Sequence, residues 1–433
     1  MKKIKQNRFW FGITTTLLTI MLSFTFLDCA TSTGFAPLTL PTEPSFHRDA
    51  VLLVNTVEET HPIFIYRAGA LLPSYYRERR SAFITETLQP MTKADFIMAI
   101  RRYVAALHDG HMGSWVPLDG LFLDIPFTVR DNRLFNASNV EVLRIGGAEV
   151  QNIFALVDRH FFAENEIRRN LNHTIFAGYE HILRLAGADI SNDGEVTLSL
   201  NDGYSTARFT WYSPNVTRHP QVDFIIEYRM IGDVFLIDLR LFYFDEPYLT
   251  NAVNAIEEAV NNGMRYFIVD LRGNPGGNST VGVRLLRAMG VSIPGTGVFR
   301  RISPLAIEQR PWEPSDVRQV EYAPDPTTSN PNNVFVSVLT DVLSTSGATM
   351  MATWVQDGRL GNVIGSPPGD APSMFADMLL FSLPYSGIDL AISYSRFLRP
   401  DTNADQNVVL PDILVDSRYA LDKALQFFRE KRY

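Results

Sequence analysis

A single cysteine, Cys29, is all that this chain of 433 residues contains, so no disulfide can form within it. Lysine is almost as scarce: after Lys5 only Lys93, Lys423 and Lys431 remain, and none lies between residues 94 and 422. Chemistry carried out in that interval cannot rest on a lysine base. Histidine is missing from the second half, since all eight (His47, His61, His108, His111, His160, His173, His181, His219) precede residue 220. Basic runs are absent beyond the N-terminus and the formal charge is −8, which argues against a dedicated nucleic-acid binder. The one glycine-rich loop lacks both the GxxxxGK[ST] spacing with its lysine and GxGxxG, so neither phosphate-cradling signature is present. There is no internal repeat and no low-complexity tract.

What is present describes a folded, exported protein. Hydrophobic residues make up 46% and charged residues 20%, and the length allows two or three domains with sizeable cores. Lys2, Lys3, Lys5 and Arg8 precede a charge-free run from Phe9 to Leu27, a basic region followed by an apolar one, which predicts export. Cys29 stands two residues past that run, and its placement resembles the lipid-modified cysteine of bacterial lipoproteins. Lipid attachment at Cys29 on the extracytoplasmic side of the cell envelope is therefore expected, with an uncleaved signal anchor as the alternative. Residues 1–29 read as the signal and 30–46, rich in Thr, Ser and Pro, as a tether.

Residues 47–113 carry a helical pattern. Thr92 and Asp95 have capping-box spacing, and Phe96, Ile100, Tyr103, Val104 and Leu107 form one apolar stripe. The stripe ends in His108-Asp109-Gly110-His111-Met112-Gly113, whose two glycines suit a sharp loop that would fix His111 beside a packed helix. Two other readings stay open there: metal chelation by His108 and His111, for which no third ligand is evident nearby, and an ordinary loop histidine. Residues 114–220 read as mostly β, with strands expected in Phe122–Val129, Asn132–Phe135, Val140–Ile145, Glu195–Leu200 and Thr206–Trp211, and a short helix from Val150 to Phe162. That module is expected to serve recognition or packing.

From residue 221 strands and helices alternate, which predicts an α/β, mainly parallel β-α-β core over 221–433. Its strands include Val234–Leu239 and Tyr266–Leu271, the latter followed by the loop Arg272-Gly273-Asn274-Pro275-Gly276-Gly277-Asn278. Residues 291–332, rich in Pro, Arg and Ser, are expected to be a long surface insertion. The stretch VFVSVLTDVLSTSGATMMATWVQD (Val334–Asp357) then reads as strand, serine turn and helix. A hydroxyl there would face the unpaired N–H groups of a helix N-terminus, as a nucleophile requires. The alternative is that Ser344 or Ser346 merely caps the helix.

VDLRGNPGG (Val269–Gly277), the STSGATMMATWVQD turn, VIG (Val363–Gly365) and NVVLPDILV (Asn407–Val415), with LHDGH upstream, stand in the order found in one known family. Over roughly residues 90 to 430 the chain resembles the C-terminal processing peptidases and tricorn-core serine peptidases. The resemblance implies a ClpP/crotonase-like core and a PDZ-like module at 114–220. It places the nucleophile on Ser346 and an oxyanion hole on the N–H groups of Gly347 and of Gly276 or Gly277. The position of the processing peptidases' lysine falls on Ala371, so a Ser–Lys dyad is excluded. The tricorn-like branch uses instead a histidine, which aligns with His111, and an acidic residue, which aligns with Asp405. Two positions depart from the pattern: Gly110 replaces a frequent serine before the histidine, and Asp405 is one methylene shorter than the usual glutamate. The implied activity is cleavage of a peptide or protein substrate through an acyl-enzyme on Ser346, without metal or other cofactor. A family relative that has lost catalysis and binds peptides or lipids outside the cytoplasm is the alternative.

Overall fold

The computed structural model describes residues 35–211, 225–244 and 246–431. The signal segment, Cys29, the start of the tether, the end of the expected 114–220 module and His219 lie outside the described residues. Among the described residues no helix is long and apolar enough to cross a membrane.

The core is a six-stranded sheet in the order Ile413–Leu414, Gly361–Gly365, Phe335–Thr340, Tyr266–Asp270, Val234–Leu239 and Ile226–Ile231. Every pairing is parallel except that of the edge strand Ile226–Ile231. The strand Val234–Leu239 is buried at each of its positions, the continuous apolar pattern of a parallel sheet covered on both faces. Alternate side chains go to opposite layers. Phe267, Val269, Val336 and Val338 pack under the helices Tyr248–Asn261, Thr280–Ala288 and Gly347–Asp357. Leu236, Ile268, Leu339 and Ile364 pack under the terminal helix Ala420–Glu430.

The N-terminal helices Phe46–Thr60, Tyr76–Glu86 and Lys93–Ala105 share a core with Phe375, Leu383, Ile388, Leu390 and Ile392, from a hairpin near the other end of the chain. The capping box forms as its spacing requires: Asp95 N–H donates to Thr92 Oγ1, and Thr92 N–H donates to Asp95 Oδ2. The hairpin, Phe375–Leu383 with Ile388–Leu398, belongs to a four-stranded antiparallel sheet completed by Gly297–Arg301 and Gln319–Tyr322. Residues 291–332 are thus not a simple surface excursion. Val298 and Phe299 are buried against the hairpin, in strands too short to stand out from their Pro- and Arg-rich surroundings.

Residues 122–210 form a seven-stranded antiparallel sheet with the helices Val150–His160, Glu166–Phe176 and Glu180–Leu185. The last two helices are not evident in the sequence. Glu166–Phe176 starts from Asn165, whose side chain accepts the Arg168 N–H, and it buries only Leu171, Asn172 and His173, too few positions to show a stripe.

Phe428 has no exposed surface and lies 5.0 Å from the Tyr266 ring and 5.8 Å from that of Phe335. Phe428→Ala should cost about 3–5 kcal/mol in denaturant unfolding, the usual price of an emptied aromatic site. A loss well under ~1 kcal/mol would mean that the terminal helix does not seal this face.

Candidate active site

Because the strands run parallel and in sequential order, four neighbouring carboxyl ends lie side by side. They lead into Leu241 and Phe242, the glycine loop, the serine turn and the segment after Gly365. Such ends are where open α/β sheets place their sites. Here they border a cavity of about 830 Å³ that includes Leu241, Gly276, Gly277, Ser346 and Asp370, with His111 entering from the N-terminal helical part.

Ser346 sits immediately before the helix Gly347–Asp357 at φ 53, ψ −117, a backbone conformation that few residues other than glycine adopt. Its surroundings hold it there. Thr345 N–H donates to Asn274 O at 2.9 Å, and Ser346 N–H donates to Asp370 Oδ2 at 2.6 Å. Asp341 Oδ1 accepts from both Gly273 N–H (2.8 Å) and Leu343 N–H (2.9 Å), tying the glycine loop to the serine turn. Gly276, at φ +90, lies so close that a β-carbon on it would stand 2.5 Å from Thr345 O and 2.6 Å from Ser346 Cβ.

The two serines of the turn differ sharply. Ser344 is fully buried; its Oγ donates to Leu271 O at 2.7 Å and accepts Asp341 N–H at 3.0 Å. Ser346 lines the cavity, and its side chain makes no capping bond to the helix it precedes. The capping alternative describes neither residue. Among the expected oxyanion donors, Gly276 N–H is already given to Asn274 Oδ1 at 2.7 Å, which removes it from that set. Among the described residues no protein acceptor takes the N–H of Gly277 or of Gly347, at the helix N-terminus.

The segment around His111 differs from the expected loop: Gly110–Trp115 is a short helix. Asp109 caps it by accepting Met112 N–H on Oδ1 at 3.0 Å, and the sharp turn falls on His108 at φ 53, not on a glycine. Asp109 is fixed in turn by a buried histidine. Ile63 N–H donates to His61 Nδ1 at 3.1 Å, which puts the ring proton on Nε2, and that proton is donated to Asp109 Oδ2 at 3.0 Å. Burial works to raise the Asp109 pKa, but the hydrogen bond from His61 and the neighbouring imidazoles outweigh it and hold it low.

His111 is 13% exposed and lines the cavity; its Nε2 is buried without a hydrogen-bond partner, 3.9 Å from Asp370 Oδ2. His108 faces elsewhere, 2.6 Å from the Tyr75 hydroxyl and stacked on Phe162 at 4.7 Å, with burial lowering its pKa. The two histidines therefore do not converge as a chelating pair. Asp109, His111 and Glu164 do bring one donor atom each within 4.8 Å of one another. Both Asp109 oxygens, however, already accept hydrogen bonds, and we assign no metal to the group.

Four residues that sequence reasoning missed complete the surroundings. Glu164 Oε2 accepts Ala371 N–H at 2.9 Å, Arg168 Nη2 donates to Asp370 Oδ1 at 2.8 Å, and nearby Asn165 Nδ2 donates to Asn407 O at 2.9 Å. The β-rich module is thereby latched to the loop after Gly365. Burial first, and the Asp370 carboxylate second, push the Glu164 pKa up to about 7. Asp370 follows VIG by five residues, one short of the position aligned with the family's lysine, which was the available signal for it. Glu164 and Arg168 lie in a polar stretch with none. Asp405 is not brought to this cavity. It is exposed, its carboxylate accepts Asn407 N–H, and its carbonyl is drawn inward by Arg399 at 2.6 Å. The outer wall carries Trp115, Arg300, Arg310 and Trp312.

Residues 237–415 match the family described as Peptidase family S41. No curated protein matches the chain. The solved structure of mature CPAF is 13% identical, covers 89% of this chain and 96% of its own, and superposes with a TM-score of 0.56, which shows a common fold. A photosystem II D1 C-terminal processing protease, 14% identical, covers 86% of this chain and 94% of its own with a TM-score of 0.43.

Two substitutions separate the roles within the turn. Gly276→Ala should displace Ser346 and suppress its reaction with a fluorophosphonate by at least about a hundredfold while the fold persists, because even one methyl meets backbone. Ser344→Ala should act on stability, lowering it by about 1–3 kcal/mol through the Asp341 N–H left unpaired. Unchanged labelling in the first variant would show that the close approach does not set the serine's position.

Proposed function

We propose, for a chain whose residues 237–415 belong to peptidase family S41, that it is a serine peptidase working through Ser346 and His111. The observation that carries this reading is the serine itself: a strained, cavity-facing Ser346 at a helix N-terminus, sharing its cavity with a largely buried histidine. Serine is a weak nucleophile until a base takes its proton, and no lysine lies between residues 94 and 422 to do so. His111 accepts the proton as Ser346 Oγ attacks the peptide carbonyl. The N–H groups of Gly277 and Gly347, with the positive end of the 347–357 helix, receive the developing oxyanion. The imidazolium then protonates the leaving amine, and water releases the acyl group by the reverse path. Trp115 and Trp312, 50% and 73% exposed at the mouth, offer apolar surface to substrate side chains. Export and a lipid anchor at Cys29 belong to the same proposal, supported by the basic and apolar N-terminal pattern.

Ser346→Ala should abolish both peptidase activity and fluorophosphonate labelling with the fold intact. His111→Ala should lower the labelling rate by about a thousandfold or more, as loss of a general base does. A folded wild-type chain that never labels at Ser346 would instead favour the non-catalytic binding protein. For the anchor, metabolic labelling with a fatty acid should disappear in Cys29→Ser; label that persists in this variant would refute lipid attachment at that cysteine.

A further inference from the structure

Gly110 leaves an open place beside His111, and the side chain of Glu164, from another part of the chain, borders it. A β-carbon at position 110 would lie 3.4 Å from Glu164 Oε1, 3.6 Å from its Cδ and 3.7 Å from its Cγ. The carboxylate thus rests against the backbone of the residue preceding His111. It is not free to swing away, because Oε2 accepts Ala371 N–H at 2.9 Å. A Glu164 oxygen, an Asp109 oxygen and a His111 nitrogen all lie within 4.8 Å of one another.

We propose that Glu164 is a positioning residue for the peptidase reaction: its clamped carboxylate orients the His111 imidazole and stabilises the imidazolium formed when Ser346 gives up its proton. The inference rests on the serine-peptidase reading and adds to it a group supplied by the β-rich module. Asp109 fits this role less well, since His61 Nε2–H and Met112 N–H already engage its two oxygens. Asp405 is directed into its own loop. The charged and titratable groups around Glu164 are Asp109 and His111 on the short helix and its cap, Asp370 and Arg168 at the latch, and Arg396 from the hairpin, with His61 behind Asp109. Burial and Asp370 hold the Glu164 pKa at about 7, so its charge changes near neutrality. An ionised Glu164 favours the imidazolium; removing that charge must therefore shift the loss of base function to lower pH.

The test is the rate at which a fluorophosphonate labels Ser346, followed from acid to mildly alkaline pH, which needs no knowledge of the substrate. Glu164→Gln keeps an acceptor for Ala371 N–H but not the charge. Its plateau rate should fall at least about tenfold and its acid limb should move to lower pH. Glu164→Asp should recover part of both. In the Glu164→Ala background, Gly110→Ser should restore rate by returning a polar group to the vacated place. A merely structural Glu164 predicts none of this: Glu164→Gln would then match the wild-type rate and limb, and that result overturns the proposal. Should Glu164→Gln fail to fold in a thermal melt, Glu164→Ala, which also removes the charge, carries the same comparison. A wild-type chain with no Ser346-dependent labelling would instead overturn the peptidase reading, a different outcome from equal labelling in wild type and Glu164→Gln.

Discussion

Two stretches of backbone meet at the centre of this molecule more closely than side chains would permit. The contact between Gly276 and the Thr345–Ser346 peptide fixes how near the glycine loop comes to the serine turn, and much of the site follows from it. A residue held at φ 53 costs on the order of 1–3 kcal/mol and persists only where its surroundings leave no alternative. Here Asp341, Asn274 and Asp370 provide those surroundings, each binding backbone N–H or C=O groups of a neighbouring loop. The parallel sheet brings these loops together, because consecutive strands in sequential order deliver their carboxyl ends to one edge.

Around that frame the electrostatics are crowded. Asp109, Asp370 and Glu164 surround one histidine, and Arg168 and Arg396 stand against the excess negative charge. The buried His61 holds Asp109 in place as a charged cap, so the short histidine helix has a fixed start. Burial and the Asp370 carboxylate push the Glu164 pKa up to about 7, whereas Asp109, despite its burial, is held low by His61. The three acidic groups beside one imidazole make different contacts: Asp109 caps the short helix, Asp370 binds the Ser346 N–H, and Glu164 binds the Ala371 N–H.

How much of this could be read from the sequence depended on whether the signal was local. The parallel core, the capping box at Thr92 and the strand–turn–helix of Val334–Asp357 are local patterns, and they stand where expected. Ser346 and His111, singled out by motif, do face one cavity. Gly110 and Gly113 misled because glycine suggests an open turn, whereas the capping carboxylate of Asp109 made a helix and left the positive φ to His108. The strands at Gly297–Arg301 and Gln319–Tyr322 were hidden because a short strand bounded by Pro and Arg acquires its identity from the hairpin it joins. Glu164 and Arg168 were beyond reach for a stronger reason: their partners lie more than two hundred residues away, and no spacing rule connects them.

The latch formed by Asn165, Arg168 and Glu164 closes contacts across 242, 202 and 207 residues of chain. Thermodynamically such distances matter little, since each doubling of a closed loop adds only about 0.6 kcal/mol. Their consequence concerns time. A chain made from its N-terminus presents His111 and Glu164 long before Ser346 and Asp370 exist, so a nascent polypeptide holds the histidine without the serine that shares its cavity. The cavity that joins them is thereby postponed until the last third of the chain has emerged and docked, and a shorter product carries only one wall of it.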